Sequence, residues 1–225
     1  MFDIFFISYR ESNCDKNWLH LKNRWPGAKR IHDVAGIYSA YERAARASST
    51  EFFFTIDGDN LVLDDFRFST EGLELDDETV YVWRCENPIN QLIYGYGAIK
   101  LFPKKAFVQN PSSGIDITTS VAKKYKIVDQ LASRTMFFET PLEAWRGAFR
   151  ECAKLRSGVI KNQKDEDSKK RLDRWLSSDG PVGNIEWVRR GAKDGVDYAE
   201  SEESLELLND FERLSQRFLE FYNVE

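Results

Sequence analysis

Residues 51–60 read EFFFTIDGDN, and this stretch decides the expected fold. Four of the five residues in FFFTI are apolar, which is typical of a short strand buried on both faces in the middle of a mainly parallel sheet. Asp57-Gly58-Asp59 follows at once, and ligands of open α/β sheets bind at the carboxyl ends of the strands. Neither carboxylate has an obvious cationic neighbour in the sequence. Asp57 and Asp59 are therefore predicted to face outward as oxygen ligands for Mg²⁺ or Mn²⁺, which would neutralise a diphosphate.

Three other interpretations of the same residues compete with a metal site. Asp-Gly is a favoured pair for the type I′ turn of a β-hairpin. An EF-hand loop that began at Asp57 would need Gly at its sixth position and Glu at its twelfth, where Val62 and Phe68 stand, so that interpretation fails. A phosphatase-type aspartyl nucleophile usually follows the first strand of the chain, whereas this strand comes later.

The composition fits a globular α/β protein of one domain or of one domain with a small helical addition. The chain has 225 residues, of which 42% are hydrophobic, and its formal net charge is −5, which gives no general attraction to nucleic acid. No apolar run reaches the roughly 20 residues that cross a bilayer, and no signal peptide is recognised at the start. Three scattered cysteines favour reduced thiols and a cytoplasmic location.

The residues before the Asp-x-Asp stretch complete one half of an α/β fold. Residues 2–8, FDIFFIS, predict a second buried strand, and residues 30–34 a further one. Helices are predicted over residues 17–25, stopped by Pro26-Gly27, and over residues 37–49, where several alanines would allow close packing on the sheet. The order strand, helix, strand, helix, buried strand predicts a nucleotide-binding half of an α/β domain.

A hydrophobic strand that ends in Asp-x-Asp, follows a helix and stands early in the chain resembles the metal-binding motif of GT-A-fold glycosyltransferases. The resemblance extends over roughly residues 2–102. It implies that Mn²⁺ or Mg²⁺, held by Asp57 and Asp59 around Gly58, binds the diphosphate of a nucleotide-sugar donor, with a UDP-sugar expected. It also implies that the loop after the first strand receives the nucleotide.

In that loop Ser8 would bind the edge of the base, Tyr9 would stack on a pyrimidine and Arg10 would meet a phosphate. An ordinary exit from a strand with a surface arginine explains the same residues equally well. The resemblance places a glycine loop, here residues 94–98 (YGYGA), where the donor sugar meets the acceptor, although a β-bulge is an equal explanation.

Inverting glycosyl transfer needs a carboxylate within reach of the acceptor hydroxyl. Asp116, in a Ser/Gly-rich loop, is the first candidate for this base and Glu139 the second, while either residue would also serve as a loop cap. Two lysine-rich runs, residues 104–105 and 123–126, are either a solvated surface or a patch that contacts phosphate.

The later part of the chain is predicted to be helical. Thr140-Pro141-Leu142-Glu143 is a capping box that begins a helix ending near Gly158. A strongly amphipathic helix is predicted over residues 201–222, as a cover for the sheet or as a dimer contact. We therefore expect an α/β fold: a GT-A-like central mixed sheet flanked by helices over residues 1–158, with a helical C-terminal extension over residues 159–225 packed on it.

The function favoured by the sequence is metal-dependent transfer of a sugar, hexosyl or pentosyl, from a nucleotide diphosphate to a hydroxyl. The compact chain resembles bacteriophage glycosyltransferases, so one expected acceptor is a hydroxymethylated pyrimidine in double-stranded DNA, with the host cytoplasm as the location. The expected assembly is a monomer or homodimer, without a membrane. Two alternatives stay open: a nucleotidyltransferase that acts on a sugar phosphate, and a non-catalytic interaction protein that docks through its last helix.

Overall fold

The computed structural model describes residues 2–94, 98–109, 117–122, 124–159, 165–201 and 204–222. Its contacts divide the chain into two compact units. The first unit comprises residues 1–87 and 93–136, and the second comprises residues 88–92 and 137–225. Within the described ranges, no helix combines the length and the apolar character that crossing a membrane requires.

The first unit contains a mixed sheet with helices on both faces. The elements are β1 (Asp3–Ser8), α1 (Cys14–Arg24), β2 (Lys29–His32), α2 (Ile37–Ala47), β3 (Phe52–Asp57), β4 (Asn60–Val62), β5 (Thr79–Asn87), β6 (Leu92–Tyr94), β7 (Lys100–Pro103), α3 (Lys105–Gln109), α4 (Ile117–Val121) and β8 (Lys124–Thr135). The strand order in the sheet is β2-β1-β3-β7-β5-β8-β4, and β6 pairs with β5. The pairs β1/β2, β1/β3 and β5/β8 are parallel, whereas β7 runs antiparallel to β3 and β5, and β4 antiparallel to β8.

The central strands are apolar on both sides because each face of the sheet is covered. Phe5 and Phe53 pack with Tyr41 of α2 on one face, whereas Phe54 packs with Leu21 of α1 on the other. All these side chains are almost fully buried. The continuous apolar runs of β1 and β3 are therefore explained by two cores rather than one, and the predicted fold class, α/β with a central mixed sheet flanked by helices and a helical C-terminal region, is confirmed.

The second unit is built around a pair of helices. Its helices are α5 (Pro141–Ser157), α6 (Asp165–Leu176), α7 (Ile185–Ser201) and α8 (Phe211–Tyr222), with a 3₁₀ turn at Glu206–Asn209. The predicted capping box is confirmed: the Glu143 N–H donates to the Thr140 hydroxyl oxygen at 3.2 Å, and the Thr140 hydroxyl donates to the Glu143 carboxylate at 3.0 Å. Gly158 ends α5 in the left-handed region, as expected of a helix C-cap.

Glycines of α7 let its backbone approach that of α5 closely. A Cβ atom on Gly191 would lie 2.2 Å from the Trp145 carbonyl oxygen, and one on Gly195 would lie 2.2 Å from the Phe149 carbonyl oxygen. Real Cβ atoms essentially never come within 3.0 Å of such an atom. The spacing of these glycines, one helical turn apart, therefore sets the distance between the two helices.

The second unit also differs from the sequence prediction in two ways. The helix expected over residues 201–222 is wrong as a single element, because α7 ends at Ser201 and α8 begins only at Phe211. The contacts place α5 in the second unit, whereas the predicted domain boundary follows α5 at residue 158. The reason is that the buried face of α5, with Ala148 and Cys152, forms a core with Val188 and Ala192 of α7.

Candidate functional site

The Asp-x-Asp turn lies at the carboxyl ends of two adjacent parallel strands. In the register of β1 and β3, Ile7 is opposite Asp57, so both strands finish at the same edge of the sheet. Gly58 and Asp59 form a turn that leads into β4. The hairpin interpretation is wrong, because β3 pairs with β1 and β7 while β4 pairs with β8. Positive φ angles, which a type I′ turn needs, occur among the described glycines at Gly36, Gly72 and Gly158 and not at Gly58.

Gly58 packs directly against the end of β1. A Cβ atom at this position would lie 2.7 Å from the Ser8 Cβ, 2.9 Å from the Ser8 Cα and 2.8 Å from Oε2 of Glu11. The buried amide of Asn17 on α1 donates to the Gly58 carbonyl oxygen at 3.0 Å. The turn and the loop that follows β1 therefore form one continuous surface, and glycine is the residue that permits it.

A second set of hydrogen bonds fixes the far side of the turn. The Met136 N–H donates to the Asp59 carbonyl oxygen at 2.7 Å. The Met136 carbonyl oxygen in turn accepts from the Asn13 amide at 2.5 Å. Asn13 precedes α1, so the same short segment of chain that follows β8 connects the turn to the start of that helix.

Both carboxylate oxygens of Asp57 have partners within the chain. The Lys100 ammonium of β7 donates to Oδ2 at 3.0 Å, and the Tyr41 hydroxyl of α2 donates to Oδ1. The Lys100 side chain is 7% exposed and that of Asp57 is 35% exposed, so solvent reaches the carboxylate but hardly reaches the ammonium. Burial, followed by the charge of Asp57, raises the pKa of Tyr41 well above its ordinary value, which keeps this hydroxyl a donor. Asp57 thus has a cationic neighbour that lies far away in the sequence.

Asp59 is oriented by the residue that follows it. The Asn60 amide nitrogen donates to Oδ1 of Asp59 at 2.7 Å. The Asn60 amide oxygen accepts from the Cys85 thiol at 3.3 Å and from the Ser133 hydroxyl at 3.4 Å. Both donors lie on the oxygen end of the amide, so the nitrogen end is directed to Asp59. Burial raises the pKa of Cys85 to about 12, so this thiol stays protonated and keeps its donor role.

The hydroxyl of Ser8 is already engaged with β2. Ser8 is buried, and its Oγ accepts from Nε of Arg30 at 3.0 Å. The same Oγ lies 2.9 Å from Nδ1 of His32. Arg30 also donates to Asp15 at 2.7 Å, and this hydrogen bond is the main reason why the pKa of Asp15 is lowered. If Ser8 binds the edge of a nucleobase, as predicted, its hydroxyl must do so beside its contacts with Arg30 and His32.

Tyr9 is half-buried and Arg10 is exposed in the loop that follows β1. The Arg10 guanidinium is 4.9 Å from the centre of the Tyr9 ring and pairs with Asp33 at 3.1 Å. The Tyr9 N–H donates to Oε2 of Glu11 at 2.8 Å. The structure therefore brings together Ser8, Glu11 and Gly58, and the aromatic and cationic roles given to Tyr9 and Arg10 stay predictions.

The chemistry of the turn fits a cation that is shared with a substrate. Across the described residues, no three His, Cys, Asp or Glu side chains converge in a way that would hold a metal ion. Mg²⁺ usually keeps several waters and binds through one or two carboxylates together with substrate phosphates. The turn places Asp59 beside Asp57, which already accepts from Lys100 and Tyr41, and so offers one or two carboxylates. This donor set fits a cation that arrives with, or is completed by, a diphosphate.

The two candidate bases belong to other segments of the chain. Asp116 lies outside the described residues. Glu139 belongs to the second unit, where it is exposed just before α5. Both assignments stay predictions.

The lysine runs are partly neutralised. Lys105 pairs with Asp77 at 2.6 Å, and Lys104 donates to the Ser48 carbonyl oxygen at 2.7 Å. Lys124 and Lys126 lie on β8 and are exposed, whereas Lys123 lies outside the described residues. The phosphate-contacting patch therefore stays a prediction, for which Lys124 and Lys126 are the exposed described lysines.

Sequence reasoning missed three residues that shape the turn: Lys100, Tyr41 and Asn60. A signal existed for Lys100, which interrupts the apolar run AIKLF; a lysine in a buried strand requires a partner of opposite charge. For Tyr41 the helical spacing indicates only a place on the buried face of α2. Its hydrogen bond to Asp57 depends on the packing of α2 on the sheet, which no local pattern reveals.

Comparisons with known proteins give likenesses to solved structures, of which the two described below have low sequence identity. No family model matches the chain, and no curated protein matches it. A crystal structure of a glycosyltransferase involved in the glycosylation of the major capsid of PBCV-1 is similar at 15% identity over 56% of this chain and 82% of that chain, with a TM-score of 0.38. A protein of Bacillus anthracis named as a glucose-1-phosphate thymidylyltransferase, in complex with a sucrose, is similar at 17% identity over 56% of this chain and 68% of that chain, with a TM-score of 0.32. TM-scores this low carry no weight in assigning an activity.

Proposed function

We propose that the chain is a metal-dependent glycosyltransferase that moves a sugar from a nucleotide diphosphate, with UDP-sugar as the expected donor, to a hydroxyl group. One observation carries the proposal: Gly58 packs on Ser8, which joins the two carboxylates to the loop after β1. An acidic pair and a polar loop at adjacent carboxyl ends of a parallel strand pair are suited to bind the two ends of a nucleotide diphosphate.

Each residue has a defined role in this proposal. Asp59, oriented by Asn60, is the direct ligand of Mn²⁺ or Mg²⁺. Asp57 binds the ribose or contacts the cation through water. Tyr9, Arg10 and Ser8 bind base and phosphate, and Asp116 or Glu139 removes the proton from the acceptor hydroxyl. When bound, the cation would supply Lewis-acid stabilisation of the leaving diphosphate.

The acceptor that we propose for testing is the hydroxymethyl group of a modified pyrimidine in double-stranded DNA. Its only support in the described residues is the pair of exposed lysines on β8, Lys124 and Lys126. An enzyme that works on such a base must take it out of the stack or accept it in a wide cleft. Turnover that falls steeply as salt rises is expected for DNA, while salt-insensitive turnover would indicate a small sugar or lipid acceptor.

A thermal-shift titration with UDP and Mn²⁺ tests the donor site. A ligand that binds only the folded state raises the unfolding temperature, and we expect UDP with Mn²⁺ to do so. Asp59→Asn should remove the part of the shift that depends on the metal, whereas Asp65→Asn, which makes the same charge change at an exposed position, should keep it.

The same titration separates the alternatives. Stabilisation by a nucleoside triphosphate but not by UDP would favour a nucleotidyltransferase, and no shift with either would favour an interaction protein. Hydrolysis of a panel of nucleotide sugars in the presence of metal then identifies the donor.

A further inference from the structure

Asp57 shares its carboxylate with a buried cation of the chain itself. Lys100 reaches it from β7, which pairs with β3 so that Thr55 is opposite Lys100. The ammonium is almost fully removed from solvent and lies 3.0 Å from Oδ2, while Tyr41 donates to the other oxygen. The two acids of the turn are therefore held differently: Asp57 by a cation and a hydroxyl, and Oδ1 of Asp59 by a neutral amide.

We propose that Lys100 is a positioning residue that keeps Asp57 out of the direct coordination of the cation and leaves this role to Asp59. The inference rests on the proposed function and deepens it, because it assigns the two acids to different tasks. It adds a residue of β7 to a metal and nucleotide site that the sequence places at the ends of β1 and β3.

The electrostatic reason is direct. A divalent cation that bound an oxygen of Asp57 would lie beside the Lys100 ammonium, whose side chain is only 7% exposed to solvent. The Tyr41 ring is 5.9 Å from Nζ and is itself packed against Phe102. Charges of the same sign that share one carboxylate repel each other strongly where water is scarce. Asp57 therefore carries a penalty for direct coordination, and the lower-energy position of the cation is on the Asp59 side of the turn.

The buried lysine also favours a phosphate-bearing substrate. Its ammonium adds one positive charge to a site that carries the carboxylates of Asp57, Asp59 and Glu11. This added charge makes the loaded site more attractive to a diphosphate, at the expense of affinity for the cation alone.

Removal of the lysine should increase the affinity for metal. Mn²⁺ binding to the whole chain, measured by calorimetry without nucleotide, should become roughly tenfold tighter in Lys100→Met, because one repelling charge is lost and Asp57 becomes available. Lys105→Met is the matched control: it removes the same charge from a lysine–aspartate pair beyond the other end of β7, and Mn²⁺ affinity should stay within about twofold of the wild type.

A double-mutant cycle separates direct coordination from general electrostatics. Asp57→Asn should weaken Mn²⁺ binding several times more in the Lys100→Met background than in the wild-type background, because only there does Asp57 become a direct ligand; the rest of the tenfold gain comes from the lost repulsion. Asp59→Asn should abolish binding in both backgrounds. Tyr41→Phe keeps the aromatic ring and removes the hydrogen bond to Oδ1 of Asp57, so it should also tighten Mn²⁺ binding. This variant replaces Lys100→Met as the test if Lys100→Met does not fold.

The outcomes distinguish the two proposals. If the wild type binds Mn²⁺ and depends on Asp59, but Lys100→Met and Tyr41→Phe bind no more tightly, the role of Lys100 is refuted and the proposed function stands. The role of Lys100 is likewise refuted if Asp57→Asn weakens Mn²⁺ binding by the same factor with and without the lysine. If the wild type binds no Mn²⁺ with or without UDP, both proposals fall together.

Discussion

Gly58→Ala tests the contact on which the site depends. The new methyl group would lie 2.7 Å from the Ser8 Cβ and 2.9 Å from its Cα, whereas ordinary contacts begin at 3.4 Å, so the turn and β1 would have to separate by about 0.7 Å. The strands cannot absorb this shift, because β1 and β3 are paired up to Ile7 and Asp57. The turn itself must therefore move, and both carboxylates move with it.

Two magnitudes follow from this displacement. Forcing a methyl group into a closed contact typically costs about 1–3 kcal/mol of folding free energy. Misplacing a ligand or reacting group by about 1 Å can cost roughly a hundredfold in rate, so we expect a loss of this order in any metal-dependent turnover. The loss of activity should thus exceed what the loss of stability would cause at a temperature where the variant stays folded.

Urea unfolding of Gly58→Ala beside Gly27→Ala provides the measurement. Gly27 belongs to the same unit and has open space around its Cβ position, so its substitution should change the unfolding free energy by less than about 0.5 kcal/mol. The packing of the turn on β1 is refuted if the two variants unfold at the same urea concentration. This comparison does not require the substrate to be known.

Two further predictions concern stability alone. Gly191→Ala should destabilise the second unit by about 1–3 kcal/mol, from which the better helix propensity of alanine recovers up to about 1 kcal/mol. Hydrogen exchange in α5 and α7 should become faster in this variant, whereas Gly183→Ala, which has open space around its Cβ position, should leave exchange unchanged. Equal protection in the two variants would contradict the close approach of the helices. Asp3 is the second case: burial opposes ionisation, but Lys29 and the Ser49 N–H and hydroxyl lower its pKa from 3.8 to about 2. Since the folded-state pKa lies below the unfolded one, its contribution of about 2 kcal/mol is complete above about pH 5 and is lost as the pH falls towards about 2. The difference in unfolding free energy between wild type and Asp3→Asn should shrink over this interval, and a difference that stays constant would exclude the ionised carboxylate as its cause.

The sequence predicts best where the pattern and the packing agree. Strands β1 and β3 can be predicted because their nearly continuous apolar runs indicate strands that are buried on both faces of a sheet. The start of α5 is found because a capping box is a local signal whose hydrogen bonds join residues three positions apart. The neighbourhood of Ser8 and Asp57 follows from the parallel order of their strands.

Other elements escape detection for physical reasons. Strand β8 is exposed or half-buried from Lys124 to Leu131 and buried only at Ala132, Ser133 and Thr135, so its residues do not alternate clearly. In α7 the buried face includes Gly191 and Gly195, and small residues give a weak apolar signal although they are the point of closest packing. The partners of Asp57 come from α2 and β7, and only the folded sheet brings them together.

The hydrogen bonds around the turn also bear on the order of folding. Asn17 reaches Gly58 across 41 residues, whereas Asn60 meets Ser133 across 73 and Asn13 meets Met136 across 123. Contacts between residues so distant in the chain are slow to form, because a long loop must first be closed. A nascent chain can thus assemble the Asp57 side of the turn early, but Asp59 acquires its last support only after residue 136 has emerged from the ribosome. Competence for ligand binding should arise as one of the last events of folding in the first unit.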